Sequence, residues 1–149
     1  MPGSAHSLSI PSATQHLAKV RRFVEKHAHE AHLGEEAIAH IKMAVDEACA
    51  NIIEHAYDNA REKISVLVMV DSERFTVCIR DQGRSFHPES WSEPNLFRIA
   101  ESRRAGGLGV QIMRSLMDQV EYTTHGDTNE VRLTKFRSRQ PGRNAEKTA

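Results

Sequence analysis

Cysteine is scarce in this 149-residue chain, and the two present, Cys49 and Cys78, form no paired spacing. Both fall in apolar periodic segments, where cysteine behaves as a small buried hydrophobe, so core packing is expected rather than a disulfide or a metal site. An excess of charge is also missing. Lysine and arginine number 20 against 20 aspartates and glutamates, so no global field draws the chain to nucleic acid or anionic lipid, and any partner must be recognised locally. No apolar run approaches membrane-spanning length, and residues 1–11 lack the uninterrupted apolar stretch of a signal peptide. A cytoplasmic protein with neither a membrane nor a nucleic-acid partner is expected. No internal repeat is present, and the length suits one domain with a real core but not a second catalytic domain.

What is present is amphipathic periodicity. Residues 8–10 read as a short strand closed by Pro11. Over 14–32, Leu17, Val20, Val24, Ala28 and Ala31 recur every three or four residues, predicting a helix stopped by Gly34. Residues 35–57 repeat the pattern with Ile38, Ile41, Val45, Ala48 and Ile52, so one side of this second helix should face a sheet. β-Branched runs at 64–70 and 75–80 flank the polar Asp71-Ser72-Glu73-Arg74 and predict a hairpin. A helix over 108–117 carries Val110, Ile112, Met113 and Leu116, and strands at 120–124 and 130–136 close a second hairpin around Gly126-Asp127-Thr128-Asn129.

The stretch 81–107 holds Gly83, Pro88, Pro94 and many charges, the composition of a functional loop or lid. Trp91 and Phe97 within it fit lid packing or a docking patch equally. This order of elements predicts an α+β fold, a two-layer α/β sandwich with helices packed on one face of a mostly antiparallel mixed sheet. A regular βαβ winding is excluded, and with it a dinucleotide role for the glycines. The expected divisions are a flexible N-terminus over 1–7, one domain over 8–136 and a disordered basic tail over 137–149. His27, His29, His32 and His40 cluster in sequence, but no cysteine or carboxylate completes a tetrahedral set, so they are assigned to a solvated helix surface.

Three constellations carry chemistry. On the second helix Glu47, Asn51 and His55 are spaced by four and project from one side, one turn apart. Alone, they read as a solvated polar face. Asp81, ending a buried strand two residues before Gly83, sets an acceptor where the sheet opens and lets a ligand approach the backbone; an ordinary turn has the same composition. Arg103-Arg104-Ala105-Gly106-Gly107-Leu108-Gly109 runs straight into a helix, whose unshielded N–H groups suit phosphate. Structural loops are glycine-rich too, and no P-loop lysine–serine pair is present.

Their order and separations make the pattern specific. Glu47-x-x-x-Asn51 resembles the N box of the GHKL ATPases (gyrase, histidine kinase and MutL relatives), Asp81-x-Gly83 their G1 box, and Gly107-Leu108-Gly109 their G2 box. The ending His55-Ala56-Tyr57 and the run from Gly106 to Val120, with Leu116-Met117-Asp118, are similar to the anti-sigma-factor serine-protein kinase branch in particular. The resemblance spans nearly all of 8–136. It implies the histidine kinase-like ATPase sandwich and the cofactors ATP and Mg²⁺. It further implies Glu47 as general base, Asn51 as the Mg²⁺ ligand, Asp81 as acceptor for the adenine amino group, and Gly83 as the close approach to nucleotide. Gly106, Gly107, Leu108 and Gly109 would form the phosphate loop, with Arg104 beside it. The chain departs from many relatives in Phe86-His87-Pro88, in Ser85, and in Ala105 near the place of a phosphate-directed arginine.

The function so implied is an ATP-dependent serine-protein kinase and anti-sigma factor of a bacterial partner-switching system. Its partners would be a sigma factor and an anti-anti-sigma (STAS-like) protein phosphorylated on serine, and it would act as a homodimer. The alternative is a non-catalytic, ATP-gated binding module that sequesters a regulatory protein; an intact Glu47 argues against it, because such a module needs no base there. A histidine kinase core lacks a helical hairpin before Leu8, and a larger clamp-type ATPase lacks the domains that would use its motion.

Overall fold

The computed structural model describes residues 3–55, 63–82 and 107–137. The chain runs β1 (Ser4–Pro11), a 3₁₀ turn (Thr14–His16), α1 (Leu17–Glu30), α2 (Glu35–His55), β2 (Lys63–Val70), β3 (Arg74–Asp81), α3 (Gly107–Leu116), β4 (Gln119–His125) and β5 (Thr128–Phe136). The strands form one five-stranded sheet in the order β1-β2-β3-β5-β4, and each described pairing is antiparallel. The helices cover one face, so the expected two-layer sandwich is what forms.

Strand periodicity and register together build the core. Leu8, Val66, Ile79, Val131 and Tyr122 align across the five strands, and His6, Val68, Val77, Leu133 and Val120 align in the next inward row. Onto these rows pack Val20, Val24 and Ala28 of α1, Ile41, Ala44, Val45 and Ala48 of α2, and Val110 and Met113 of α3, all buried. α2 touches both other helices and lies over β3 and β5. Cys49 and Cys78 are buried and unpaired, and burial pushes the Cys49 thiol up to about 12, which leaves it inert. None of the described helices is long and apolar enough to cross a membrane.

Three local expectations change. The first strand begins at Ser4 rather than Leu8: residues 4–7 extend the pairing from Ser4↔Val70 onward. Their polar composition hides the strand, which exists because β2 runs to Val70 and its backbone groups need partners. The region beyond residue 137 lies outside the described residues. Gly34 does not stop α1. The left-handed residue is His32 (φ 62°), where His32 N–H bonds His29 O (2.9 Å) and Leu33 N–H bonds Ala28 O (3.2 Å), the two bonds of a Schellman stop. Gly34 instead accepts the Ile38 N–H (3.0 Å) at the start of α2.

His27 is not on a solvated surface. It is 7% exposed, its ring stacks on His6 of β1 with centroids 3.9 Å apart, and Phe23 meets it edge-on. Burial, with the neighbouring His6 charge adding, lowers its pKa below the ordinary histidine value of 6.5, while Glu30 pulls the other way. The native state therefore stays neutral where the unfolded chain takes up a proton. Stability is retained above that ordinary value and lost as the pH falls below it. The melting temperature should drop as the pH falls below the ordinary histidine value of 6.5, and His27→Phe should shrink that slope in a thermal melt series. An unchanged slope would remove His27 as its source.

Candidate functional site

The second half of α2 carries polar groups that its packing does not require. Asn51 faces inward and is 5% exposed, yet its Nδ2 finds no hydrogen-bond partner among the described residues. A buried amide N–H left unmatched costs about 1–3 kcal/mol. Asn51 borders a narrow recess whose walls are Ala48 and Ile52 of α2, Ile79 and Asp81 of β3, and Tyr122 and Asn129 of the β4–β5 hairpin. Asp81 is the last residue of β3 and is 8% exposed. Directly opposite it in register stands Asn129, whose Nδ2 donates to Asp81 Oδ1 at 3.2 Å. The recess thus combines apolar walls, an anchored carboxylate and an unmatched amide. A planar heterocycle bearing an amino group suits the first two, because its faces are apolar and its donor meets the acceptor.

Glu47 lies one turn before Asn51, about 6 Å along the helix axis. It does not line the recess; it packs against α3. A Cβ built on Gly109 would come within 2.6 Å of Glu47 Cδ and Cγ, so only glycine lets α3 approach α2 this closely without displacing the carboxylate. The same approach brings the first described turn of α3 beside Glu47. Burial holds the Glu47 carboxyl above the usual carboxylate range, and the negative charges of Glu54 and Asp46 add to the effect. Asp46 itself is gripped by Arg21 of α1, whose Nη1 reaches both carboxylate oxygens at 2.9 and 3.0 Å.

The structure therefore brings Asn51 and Asp81 to one recess and Glu47 against Gly109. Gly107 opens α3 and Leu108 follows it. Gly83, Arg104 and Gly106, together with the lid expected over 84–105, lie outside the described residues, as do the side chains of His55 and Leu108. Sequence reasoning missed Tyr122, Thr124 and Asn129. Burial pushes the Tyr122 phenol up, with Arg114 opposing and Glu47 adding, so this side chain senses the Glu47 charge. A signal existed: alternation through Val120 and through Val131 and Leu133 sets Tyr122 and Asn129 on the inward face, where polar residues need a reason.

Fold and recess together define a ligand-binding sandwich of the histidine kinase-like ATPase class. The chain belongs to that family, since the family model for the histidine kinase-like ATPase domain matches residues 10–135. It is similar to the serine-protein kinase RsbW of Bacillus pumilus, at 29% identity over 140 residues, 89% of this chain and 86% of that protein. It is also similar to the anti-sigma F factor of Caldanaerobacter subterraneus subsp. tengcongensis, at 32% identity over 102 residues, 68% of this chain and 71% of that protein. In fold it matches the crystal structure of the RsbU and RsbW domains of a Mycobacterium tuberculosis protein, with a TM-score of 0.67 and 16% identity over 92% of this chain. The chain spans 33% of that longer protein.

Proposed function

We propose that the protein is an ATP-dependent serine-protein kinase and anti-sigma factor of a bacterial partner-switching system, phosphorylating a STAS-like anti-anti-sigma partner on serine and otherwise sequestering a sigma factor. The observation that carries this is the buried Asn51 amide, its Nδ2 unmatched among the described residues, sharing one recess with Asp81, with Glu47 a turn away. Relatives named serine-protein kinase RsbW and anti-sigma F factor support its two halves. In this scheme the protein is cytoplasmic and homodimeric, and binds neither membrane nor nucleic acid.

Asp81 accepts the adenine amino group, and Gly83 admits the nucleotide to the backbone. Asn51 fits a Mg²⁺ site: a neutral amide, buried and incompletely satisfied, offers an oxygen to a hard cation and its N–H to phosphate. The ion, when bound, neutralises phosphate charge. Backbone N–H groups of Gly107, Leu108 and Gly109 at the start of α3 cradle the phosphates, and Gly106 and Arg104, which lie outside the described residues, are assigned to the same phosphate site. Glu47 takes the proton of the partner's serine hydroxyl as its oxygen bonds to the terminal phosphorus; the bond to ADP breaks and ADP leaves with the electron pair.

Incubation with labelled ATP, Mg²⁺ and the STAS-like partner tests the proposal: label should appear on a partner serine. Nucleotide-dependent partner binding without any transfer would sink the kinase assignment in favour of the ATP-gated module. Asp81→Ala should lose a charge-assisted hydrogen bond of about 1.5–3 kcal/mol and weaken ATP binding about ten-fold or more, with the fold intact. Unchanged affinity by calorimetric titration would remove Asp81 from the site.

A further inference from the structure

Register aligns Ile10, Ile64, Asp81, Asn129 and Thr124 in a single row across all five strands. Ile10 and Ile64 are completely buried and apolar, and the row turns polar at Asp81 and Asn129, where the recess opens. The polar part is connected in one direction. The exposed Thr124 hydroxyl donates to Asn129 Oδ1 at 3.2 Å, which turns the amide nitrogen toward Asp81, and that nitrogen donates to Asp81 Oδ1, again at 3.2 Å. Asn129 is 9% exposed.

An aspartate carboxylate rotates over a broad torsional well and does not orient itself. We infer that Asn129, itself aligned by Thr124, is a positioning residue that fixes the plane of the Asp81 carboxylate and thereby sets the purine selectivity of the site. The inference rests on the assignment of Asp81 as the acceptor of a purine amino group. Adenine offers an amino donor on C6 of its six-membered ring, where guanine offers a carbonyl acceptor. A carboxylate held in one plane rewards the first and repels the second, whereas one free to swing discriminates less, because it can turn away from the opposing oxygen. The anchoring hydrogen bond therefore acts on the difference between two ligands more than on fold stability.

Calorimetric titration of the full chain with Mg²⁺-ATP and Mg²⁺-GTP separates the possibilities. Asn129→Ala should weaken ATP binding roughly five-fold or more and narrow the preference for ATP over GTP by a similar factor. In an Asp81→Ala background the same change should have no further effect on that preference. Asn129→Asp supplies a pH signature: two adjacent carboxylates share a proton in mild acid, and the protonated one regains a donor. ATP affinity of that variant, relative to the wild type, should rise from about pH 8 to about pH 6. Should Asn129→Ala fail to fold, Thr124→Val at the exposed strand reads the same ratio, with a smaller narrowing expected. An equal loss for both nucleotides would make Asn129 merely structural, and an unchanged preference in these variants would overturn the inference. If Asp81→Ala weakens ATP binding while the Asn129 variants keep the preference, only the relay fails. If Asp81→Ala has no effect either, the assignment of the adenine site fails with it.

Discussion

Glu47→Gln should transfer phosphate to the protein partner at least about a hundred-fold more slowly than the wild type, while binding Mg²⁺-ATP and the sigma factor nearly normally. Glutamine keeps the shape that fits against Gly109 and lacks only the base. The same variant makes a second prediction of opposite sign. Burial first, then Glu54 and Asp46, raises the Glu47 pKa, so the native state holds that proton more tightly than the unfolded chain does. Ionised Glu47 therefore costs stability at neutral pH, and the cost disappears as the pH falls through the raised value. Glu47→Gln carries no charge and should melt no lower than the wild type at about pH 7. A substitution that loses activity yet costs the fold nothing marks a side chain positioned for chemistry. The acid limb of the wild-type rate profile should accordingly lie above the ordinary carboxylate range. Single-turnover transfer at the wild-type rate would make Glu47 structural and favour the ATP-gated binding module.

Asn51→Ala should erase the dependence of ATP binding on Mg²⁺. Groups that merely support a metal ligand change affinity by about 10–100-fold when removed, so loss of the ligand itself should cost at least the upper figure. The substitution removes a buried Nδ2 that bonds to nothing among the described residues. Titration with Mg²⁺ and with a chelator separates binding from folding: the wild type should differ between the two conditions and the variant should not. Equal enhancement by Mg²⁺ in both proteins would reject Asn51 as the ligand.

The helices and strands were legible because burial imposes two different periods on the chain. Val20, Val24 and Ala28 mark one inward stripe, and Ile64, Val66 and Val68 mark the other, and all six are buried. The ends of elements were less so. Ser4 to Ser7 form strand because β2 extends far enough to pair with them, a fact located some sixty residues away in the chain. His32 adopts the left-handed turn although Gly34 stands nearby, because the helix stop is set by where the last carbonyls need donors. His27 looked like one of several solvent-facing histidines until the first strand supplied His6 to stack on it.

For the site, the sequence alone determined residue type and helical phase: Glu47 and Asn51 share a side of α2, Asp81 ends a strand, and glycines begin α3. Local geometry is enough for that, since a period places a side chain on a face without regard to what lies opposite. Which groups meet was decided only by the tertiary structure. Asn129 reaches Asp81 across 48 residues of sequence because the β3–β5 register sets them side by side, and a one-residue slip would turn Asn129 to the other face. Gly109 meets Glu47 because α3 packs closely on α2, and Asn51 becomes a buried, unmatched donor only once the sheet closes beneath it. Contact between distant segments depends on register and helix approach, which many residues fix jointly and no single motif records.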